Sequence, residues 1–170
     1  MKRLTVLRHA KSSWDNPDVD DFDRTLNDRG RKAAGRMGRE FAKRHFRFDL
    51  VLARPAARVR ETLDGVQEKF ELNAPIRFDD AIYLASAEQL LSLVQELPEA
   101  IERPLLVGHN PGLHQLVVQL AGGGTIERSS LDEGFPTAAV AIIDVPADSW
   151  TEVELGRGKM VELILPRDLD

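Results

Sequence analysis

The sequence predicts an α/β fold with three layers, a sandwich in which helices cover both faces of a mostly parallel central sheet. Short apolar runs alternate with segments of helical periodicity along the 170 residues, and this alternation favours a parallel sheet. With 42% hydrophobic residues, the chain is long enough for one complete core and short for two. We therefore expect a single domain over residues 1–170.

Two strands and two helices are predicted in the first half of the chain. Residues 4–7 and 49–53 are short apolar runs typical of buried strands. Asn27 is suited to cap a helix between them. The apolar positions of that helix are Ala34, Met37 and Phe41. A second helix follows Pro55, with apolar positions Val59, Leu63, Val66 and Phe70.

The middle of the chain predicts a helix, a strand and a further helix. The first helix ends before Pro98 and has apolar positions Leu90, Leu91, Val94 and Leu97. Residues 105–107 form the strand, and Pro111 is suited to the first turn of the helix that follows it. That helix carries Leu113, Leu116, Val117 and Leu120 on one face. The three glycines of residues 122–124 end it.

The last third of the chain predicts strands. Residues 137–145 form one apolar run, and residues 150–155 and 160–165 are predicted to close the sheet as a pair around Gly156 and Gly158. The whole order of elements is that of an α/β sandwich.

Composition excludes several classes of protein. The net charge of −5, from 23 basic and 28 acidic residues, argues against nucleic-acid binding by general electrostatics. The chain has no cysteine, so disulfides and thiolate metal sites are excluded. Its first apolar run is shorter than a signal peptide requires, and none has transmembrane length. We therefore expect a cytoplasmic protein with neither a nucleic acid nor a membrane as partner.

Two histidines follow predicted strands and are the first candidate site residues. Arg8 and His9 end the first apolar run, and His109 follows the run at 105–107. In an α/β sheet, polar groups beyond the carboxyl ends of parallel strands converge on one crevice. The two histidines are therefore expected to face one ligand, and the neighbouring Arg8 indicates an anion.

A third segment places cations at the start of a helix. Arg58 and Thr62 are four residues apart and share a helical face, whereas Arg60 points elsewhere. Free N–H groups at a helix N-terminus favour an anion. Arg8 and Arg58 together would form a bidentate phosphate cage.

These segments resemble the histidine phosphatase superfamily, which has the phosphoglycerate-mutase-like fold. The matching motifs are Arg8-His9, the Pro-x-x-Arg-x-x-Glu-Thr segment that contains Arg58, and Gly108-His109-Asn110. Because the short chain leaves no room for an inserted helical cap, it is most similar to the SixA-type phosphohistidine phosphatases. Further similar segments, at residues 7–14, 20–27, 108–113 and 135–137, extend the resemblance along the whole chain.

The resemblance implies a role for each matching residue. His9 would be the nucleophile, forming a phosphohistidine intermediate that water hydrolyses. Arg8, Arg58 and His109 would hold the non-bridging oxygens, with His109 counted among the catalytic residues, and no metal or cofactor would be needed. The arginines should lower the pKa of His9 below its ordinary value of about 6.5. His109 is expected to be protonated once phosphate is bound.

Two positions depart from the wider superfamily. Arg54 stands where many members have serine, and it either adds a cation to the site or points to solvent. The general acid of related mutases and phosphomonoesterases has no clear counterpart, although Asp79 or Asp80 lies in the corresponding region. A missing acid favours a labile P–N bond over an alkyl phosphate, which needs acid catalysis most. His114 is expected on the helix surface or behind the site.

Three functions stay open from the sequence. The first is a metal-independent phosphohistidine phosphatase acting on a histidine-containing phosphotransfer protein. The second is a broad phosphatase of small phosphorylated substrates that uses Asp79 or Asp80 as its acid. The third is a phosphate-binding or phosphoprotein-binding module without turnover. A metallohydrolase is less favoured, because His9, His109 and His114 lack recognisable zinc-ligand spacing.

Overall fold

A central sheet, with seven strands in the part of the chain that the structure describes, organises the protein. The computed structural model describes residues 2–16, 18–123, 131–132 and 134–169. In chain order the strands are β1 (Lys2–Arg8), β2 (Leu50–Ala53), β3 (Ile76–Phe78), β4 (Pro104–Gly108), β5 (Ala121–Gly123), β6 (Val140–Val145) and β7 (Gly158–Ile164). Across the sheet their order is β3-β2-β4-β1-β6-β7-β5. Only β6 runs antiparallel to its two neighbours, so the described sheet is mostly parallel, as predicted.

Within the described residues, four α-helices cover the two faces of this sheet and give the predicted three layers. They are α1 (Asp28–Lys43), α2 (Ala57–Gln67), α3 (Ala87–Gln95) and α4 (Gly112–Leu120). Apolar residues of α1 and α2 pack with Leu7, Val51 and Val107 on one face. Residues of α3 and α4 pack with Val6 and Leu106 on the other. Successive strand residues point to opposite faces, which explains why these strands are apolar throughout.

The predicted cap of α1 is confirmed, whereas Pro111 lies just before α4 and not in its first turn. The side chain of Asn27 accepts a hydrogen bond from the backbone N–H of Gly30 at 2.8 Å, which caps α1. Pro111 directly precedes α4. Two helices are shorter than their apolar periodicity indicated, because Phe70 and Leu97 lie beyond the ends of α2 and α3 but still pack in the core.

The predicted strand at residues 150–155 is wrong. Residues Trp150–Glu152 form a short 3-10 helix instead. The fully buried indole of Trp150 donates to the carbonyl of Ile101, and the Gln95 side chain donates to the carbonyl of Val153 at 2.9 Å. Contacts with α3 and its flanking loop therefore take the place of a strand partner, and β7 pairs with β6 and β5.

Other boundaries also differ from the sequence prediction. The strand predicted at 137–145 begins only at Val140, after Ala138 adopts a left-handed backbone. β3 and β5 were not predicted, and each has three residues. Residues 121–123 do follow the end of α4, whereas Gly124 lies outside the described residues. Within the described ranges, no helix has the length and apolarity needed to cross a bilayer.

Candidate active site

His9 lies at the carboxyl end of β1, where the central parallel strands β1, β2 and β4 end together. Its backbone N–H donates to the carbonyl of Gly108 at 3.0 Å, and its carbonyl accepts from the N–H of Ala138 at 3.1 Å. The neighbouring Ala10 N–H donates to the hydroxyl of Thr62 in α2 at 2.9 Å. Both sheet and helix therefore fix the backbone around His9, and the residue is only 3% exposed.

The hydrogen bonds of the His9 ring determine its tautomer. Nδ1 lies 2.7 Å from the carbonyl oxygen of Ala10. Because a carbonyl only accepts, Nδ1 carries the proton, and Nε2 of the neutral ring holds a lone pair. Nε2 lies 3.1 Å from Nδ1 of His109, and the two rings are stacked with centroids 5.3 Å apart. The structure thus brings together the two histidines that the sequence placed at separate strand ends.

Arg54 and Arg58 lie side by side in the site and are fully buried. Arg54 follows β2, and its backbone N–H donates to the carbonyl of Val107 at 3.0 Å. Its guanidinium stacks over the ring of Tyr83 at 4.2 Å. Arg54 therefore does not point to solvent. Of the two alternatives given by the sequence, the structure shows the one in which Arg54 adds a cation to the site.

The carboxylate of Asp21 neutralises this cluster, and sequence analysis missed it. Both of its oxygens lie 3.1 Å from Nη2 of Arg58, and one lies 3.1 Å from Nη2 of Arg54. Tyr83 donates its hydroxyl proton to Asp21 at 3.0 Å, and Arg24 lies 2.9 Å away. The segment 20–27 appeared in the family resemblance, but no local signal separated Asp21 from the other aspartates of its loop.

Arg8 and Asn110, which directly follows His109, are positioned by a second set of contacts. Arg8 and the Asn110 side chain both donate to the carbonyl of Phe135, at 3.1 and 2.8 Å. His114 lies behind them, with Nε2 2.8 Å from the carbonyl of Leu131. That contact, together with the hydrogen bond from its backbone N–H to the Asn110 side chain at 3.2 Å, places His114 behind the site, one of the two locations expected for it.

Several buried guanidinium nitrogens have no hydrogen-bond partner among the described residues. They are Nε of Arg8 and both Nε and Nη1 of Arg54. Unpaired buried donors are costly. A cluster of this kind is therefore suited to an anion that brings several acceptor oxygens.

Asp79 and Asp80 lie on the segment after β3. The Asp79 carboxylate accepts from the N–H of Ala81 at 2.9 Å and caps a short 3-10 helix. Asp80 is exposed. Neither carboxylate forms a hydrogen bond or ion pair with a histidine or arginine of the site within the described ranges, in contrast to Asp21.

Burial controls the protonation of both histidines. Burial lowers the pKa of His9 most; the hydrogen bond to Ala10 opposes it, and the charges of Arg58 and Arg8 lower the pKa further, to about 3. Burial, Arg54, Arg58 and Arg8 lower the pKa of His109 to about 4. The direction for His9 is the one predicted from the arginines, but burial contributes more than they do.

These pKa shifts predict acid-dependent stability. Between pH 6.5 and about 3, unfolded His9 binds a proton that the folded ring does not, so the free energy of unfolding falls as pH falls through this window. The loss is about 1.4 kcal/mol per pH unit for a fully shifted histidine. Urea unfolding between pH 4 and about 7 should show a smaller slope for His9→Asn than for the wild type.

A matched control for this experiment is His45→Asn. His45 is exposed and has a left-handed backbone, which asparagine also tolerates. We expect this variant to keep the wild-type dependence of stability on pH. An unchanged slope in His9→Asn would contradict a neutral buried His9.

Comparison with known proteins gives the family. Residues 4–83 match the family described as histidine phosphatase superfamily (branch 1). An uncharacterized protein of Mycobacterium tuberculosis is 32% identical over 95% of this chain and 100% of its own length. The crystal structure described as the putative phosphohistidine phosphatase SixA from Agrobacterium tumefaciens is 33% identical. It covers 97% of this chain and 98% of its own, with a TM-score of 0.83.

A more distant structure supports the same fold. The protein histidine phosphatase SixA complexed with tungstate is 20% identical and covers 98% of both chains with a TM-score of 0.79. Sequence and structural similarity thus agree along nearly the full length of the chain. The chain belongs to the histidine phosphatase superfamily and is a phosphatase of that family.

Proposed function

We propose that the protein is a metal-independent phosphohistidine phosphatase that acts on a histidine-containing phosphotransfer protein. The observation that carries the proposal is the orientation of His9. Its Nδ1–H is engaged by Ala10, so the unprotonated Nε2 faces His109 beside the buried arginines. A neutral nucleophile fixed beside several cations is what phosphoryl transfer requires of a protein.

The first chemical step transfers the phosphoryl group to His9. The Nε2 lone pair forms a bond to phosphorus as the P–N bond of the substrate breaks, and the substrate imidazole, protonated on its other ring nitrogen, keeps that electron pair and leaves as a neutral ring. Arg8 and Arg58 neutralise the non-bridging oxygens. Nδ1–H of His109, which points at Nε2 of His9 in the free site, turns to a phosphoryl oxygen. Water then hydrolyses phospho-His9, releasing phosphate and restoring the neutral ring.

The ionised carboxylate of the site favours a substrate whose bond to phosphorus is labile. Burial by itself would raise the pKa of Asp21, but hydrogen bonds from Arg58, Tyr83 and Arg54 hold that pKa well below its usual range. An ionised carboxylate has no proton to give to a leaving group. Because an alkoxide is a poor leaving group, alkyl phosphates lose about 10² to 10⁴-fold without a general acid. A phosphoramidate depends less on this proton.

A cavity beside His109 is suited to the leaving group. It has a volume of about 280 Å³ and is lined in part by Ile82, Leu84, Pro111 and Gln115. Leu84 is 72% exposed at its rim. The mixture of apolar walls and a few polar groups fits an imidazole ring presented on a protein loop.

The proposal is tested by comparing substrates. We expect purified wild type to release phosphate from a phosphohistidine peptide with kcat/KM at least about 10²-fold higher than from an alkyl phosphate, consistent with the missing acid. Release should be unchanged by a metal chelator. Preference for the alkyl phosphate, lost in Asp79→Asn or Asp80→Asn, would instead favour the small-substrate phosphatase. Phosphate binding without release from either substrate would favour a binding module.

Arg54 is expected to strengthen phosphate binding. Replacing it in Arg54→Gln removes a buried positive charge beside Arg58. We expect the inhibition constant of inorganic phosphate to rise about tenfold, which corresponds to the free energy of one charge-assisted hydrogen bond. The pKa of His109 should rise, since Arg54 is the largest charge effect on it, and NMR titration measures this rise.

A control on α2, the helix that follows Arg54, separates this effect from a general loss of charge. Arg60 is exposed and its guanidinium lies 3.8 Å over the ring of Phe78, away from the site. Arg60→Gln should leave both phosphate inhibition and the His109 titration unchanged. The prediction for Arg54 fails if the two variants behave alike.

A further inference from the structure

A basic groove lies between α1 and the segment that follows β7. It has a volume of about 570 Å³. Five of the residues lining it are cations, namely Lys11, Arg29, Lys32, Arg36 and Arg167, and the others are uncharged. A chain with a net charge of −5 thus concentrates positive charge at one place on its surface.

In the part of the chain that the structure describes, these five cations lack internal charge partners. None of them forms an ion pair with a carboxylate of the described residues. By contrast, Arg44, directly after the last residue of α1, lies 2.6 Å from Glu40 and also pairs with Glu162. Like charges gathered in one concave surface repel each other, and an external anion relieves that repulsion.

The groove opens at the same edge of the sheet as His9. Lys11 is two residues after His9, and Thr137 precedes Ala138, whose N–H donates to the carbonyls of Arg8 and His9. On the far side, β7 ends at Ile164. That residue pairs with Val140, which in turn pairs with Leu7 of β1. The segment carrying Arg167 therefore lies level with the end of β1.

The form of the groove favours an acidic protein segment over a small anion. All five cationic side chains are exposed, in contrast to the buried Arg54 and Arg58. Arg29 to Arg36 alone extend about 10 Å along α1 at 1.5 Å per residue. Exposed cations spread over this distance match a run of carboxylates, whereas a small anion is held by converging buried donors.

We propose that the basic groove docks an acidic segment of the protein that carries the phosphorylated histidine. The proposal rests on the phosphohistidine phosphatase function proposed above and adds the charge of its partner. Docking beside His9 lowers KM for an acidic substrate and leaves the chemical step unchanged. Because exposed charges are screened by salt, the effect weakens as ionic strength rises.

Two peptides and two double variants test the docking site. Both peptides carry one phosphohistidine, flanked on each side through glycine–serine spacers by glutamates in one peptide and by glutamines in the other. The groove variant is Lys32→Glu with Arg36→Glu. The control is Arg39→Glu with Lys43→Glu, a pair of exposed cations on α1 with the same spacing and charge change, outside the groove. Thermal melts establish whether both variants fold. If the groove variant does not fold, the double variant Lys32→Gln with Arg36→Gln takes its place.

We expect wild type to have a KM about tenfold lower for the glutamate peptide than for the glutamine peptide, equivalent to about 1.4 kcal/mol. The groove variant should lose this preference and the control should keep it, while kcat for the glutamine peptide stays the same in all three. Equal KM values for the two peptides in wild type, or a preference that survives in the groove variant, would overturn the docking site and leave the phosphatase proposal intact.

Failure of the phosphatase proposal gives a different result. In that case neither peptide releases phosphate, and binding of the unphosphorylated glutamate peptide, measured by fluorescence anisotropy, tests the groove by itself. Binding that is lost only in the groove variant supports an acidic partner. Binding that is absent, or equal in both variants, overturns the proposal. Tighter competition by inorganic tripolyphosphate than by the glutamate peptide also overturns it, in favour of a small-anion site.

Discussion

His9→Asn is expected to lower kcat for phosphohistidine hydrolysis by about 10⁴-fold or more, the effect of removing a nucleophile from a group of residues that act together. Asparagine can donate a hydrogen bond to the Ala10 carbonyl as Nδ1 of His9 does, so the backbone at the end of β1 keeps its contacts. It has no ring nitrogen to place where Nε2 lies 3.1 Å from His109. The loss therefore reports on the role proposed for Nε2 of His9.

Two measurements check this expectation. Phosphate release is followed in the presence of a metal chelator for wild type, His9→Asn and the exposed-site control His45→Asn. Mass spectrometry under alkaline conditions, which preserve phosphohistidine, should find one phosphoryl group on His9 in wild type during turnover. Equal release from wild type and His9→Asn would remove His9 from the chemistry, and a phosphoryl group on His109 alone would exchange the roles of the two histidines.

The strands that carry the site could be predicted from the sequence because they are buried on both faces. Continuous apolar runs ending in Arg8-His9 and Gly108-His109 correspond to β1 and β4, which pair in parallel with Arg8 level with Gly108. By contrast, β3 is short and only partly buried. The sequence around Trp150 has the apolar character of a strand, yet the buried indole and its hydrogen bond to Ile101 favour a 3-10 helix.

The counter-charge of the site could not be predicted, since it comes from a loop distant in sequence. Asp21 lies 33 and 37 residues before the arginines that it contacts. Its loop contains several aspartates, and from the sequence alone each of them is equally compatible with a solvated loop. The contact depends on the path of residues 20–27, where the N–H of Leu26 donates to the Glu61 side chain at 2.9 Å. Only the folded structure specifies which aspartate faces Arg58.

Asp21→Asn is expected to destabilise the protein by about 2 kcal/mol. The substitution leaves two adjacent, fully buried guanidinium groups without their carboxylate. Removing one partner of a buried ion pair costs about 3 to 5 kcal/mol, and we take a smaller value because the Asp21 side chain is 42% exposed and its charge is screened. Urea unfolding near pH 7 measures the change.

Inorganic phosphate should offset this loss, and the size of the offset tests whether phosphate and Asp21 compete for the same donors. In wild type, phosphate must displace the carboxylate from Arg58, whereas in Asp21→Asn it meets no competing charge. The rise in Tm at a given phosphate concentration should therefore be larger in the variant, since stabilisation follows the ratio of ligand concentration to Kd. Asp23→Asn, an exposed change in the same short 3-10 helix, should give the wild-type rise. If Asp21→Asn gives that rise too, phosphate binds elsewhere and Asp21 neutralises the arginines permanently.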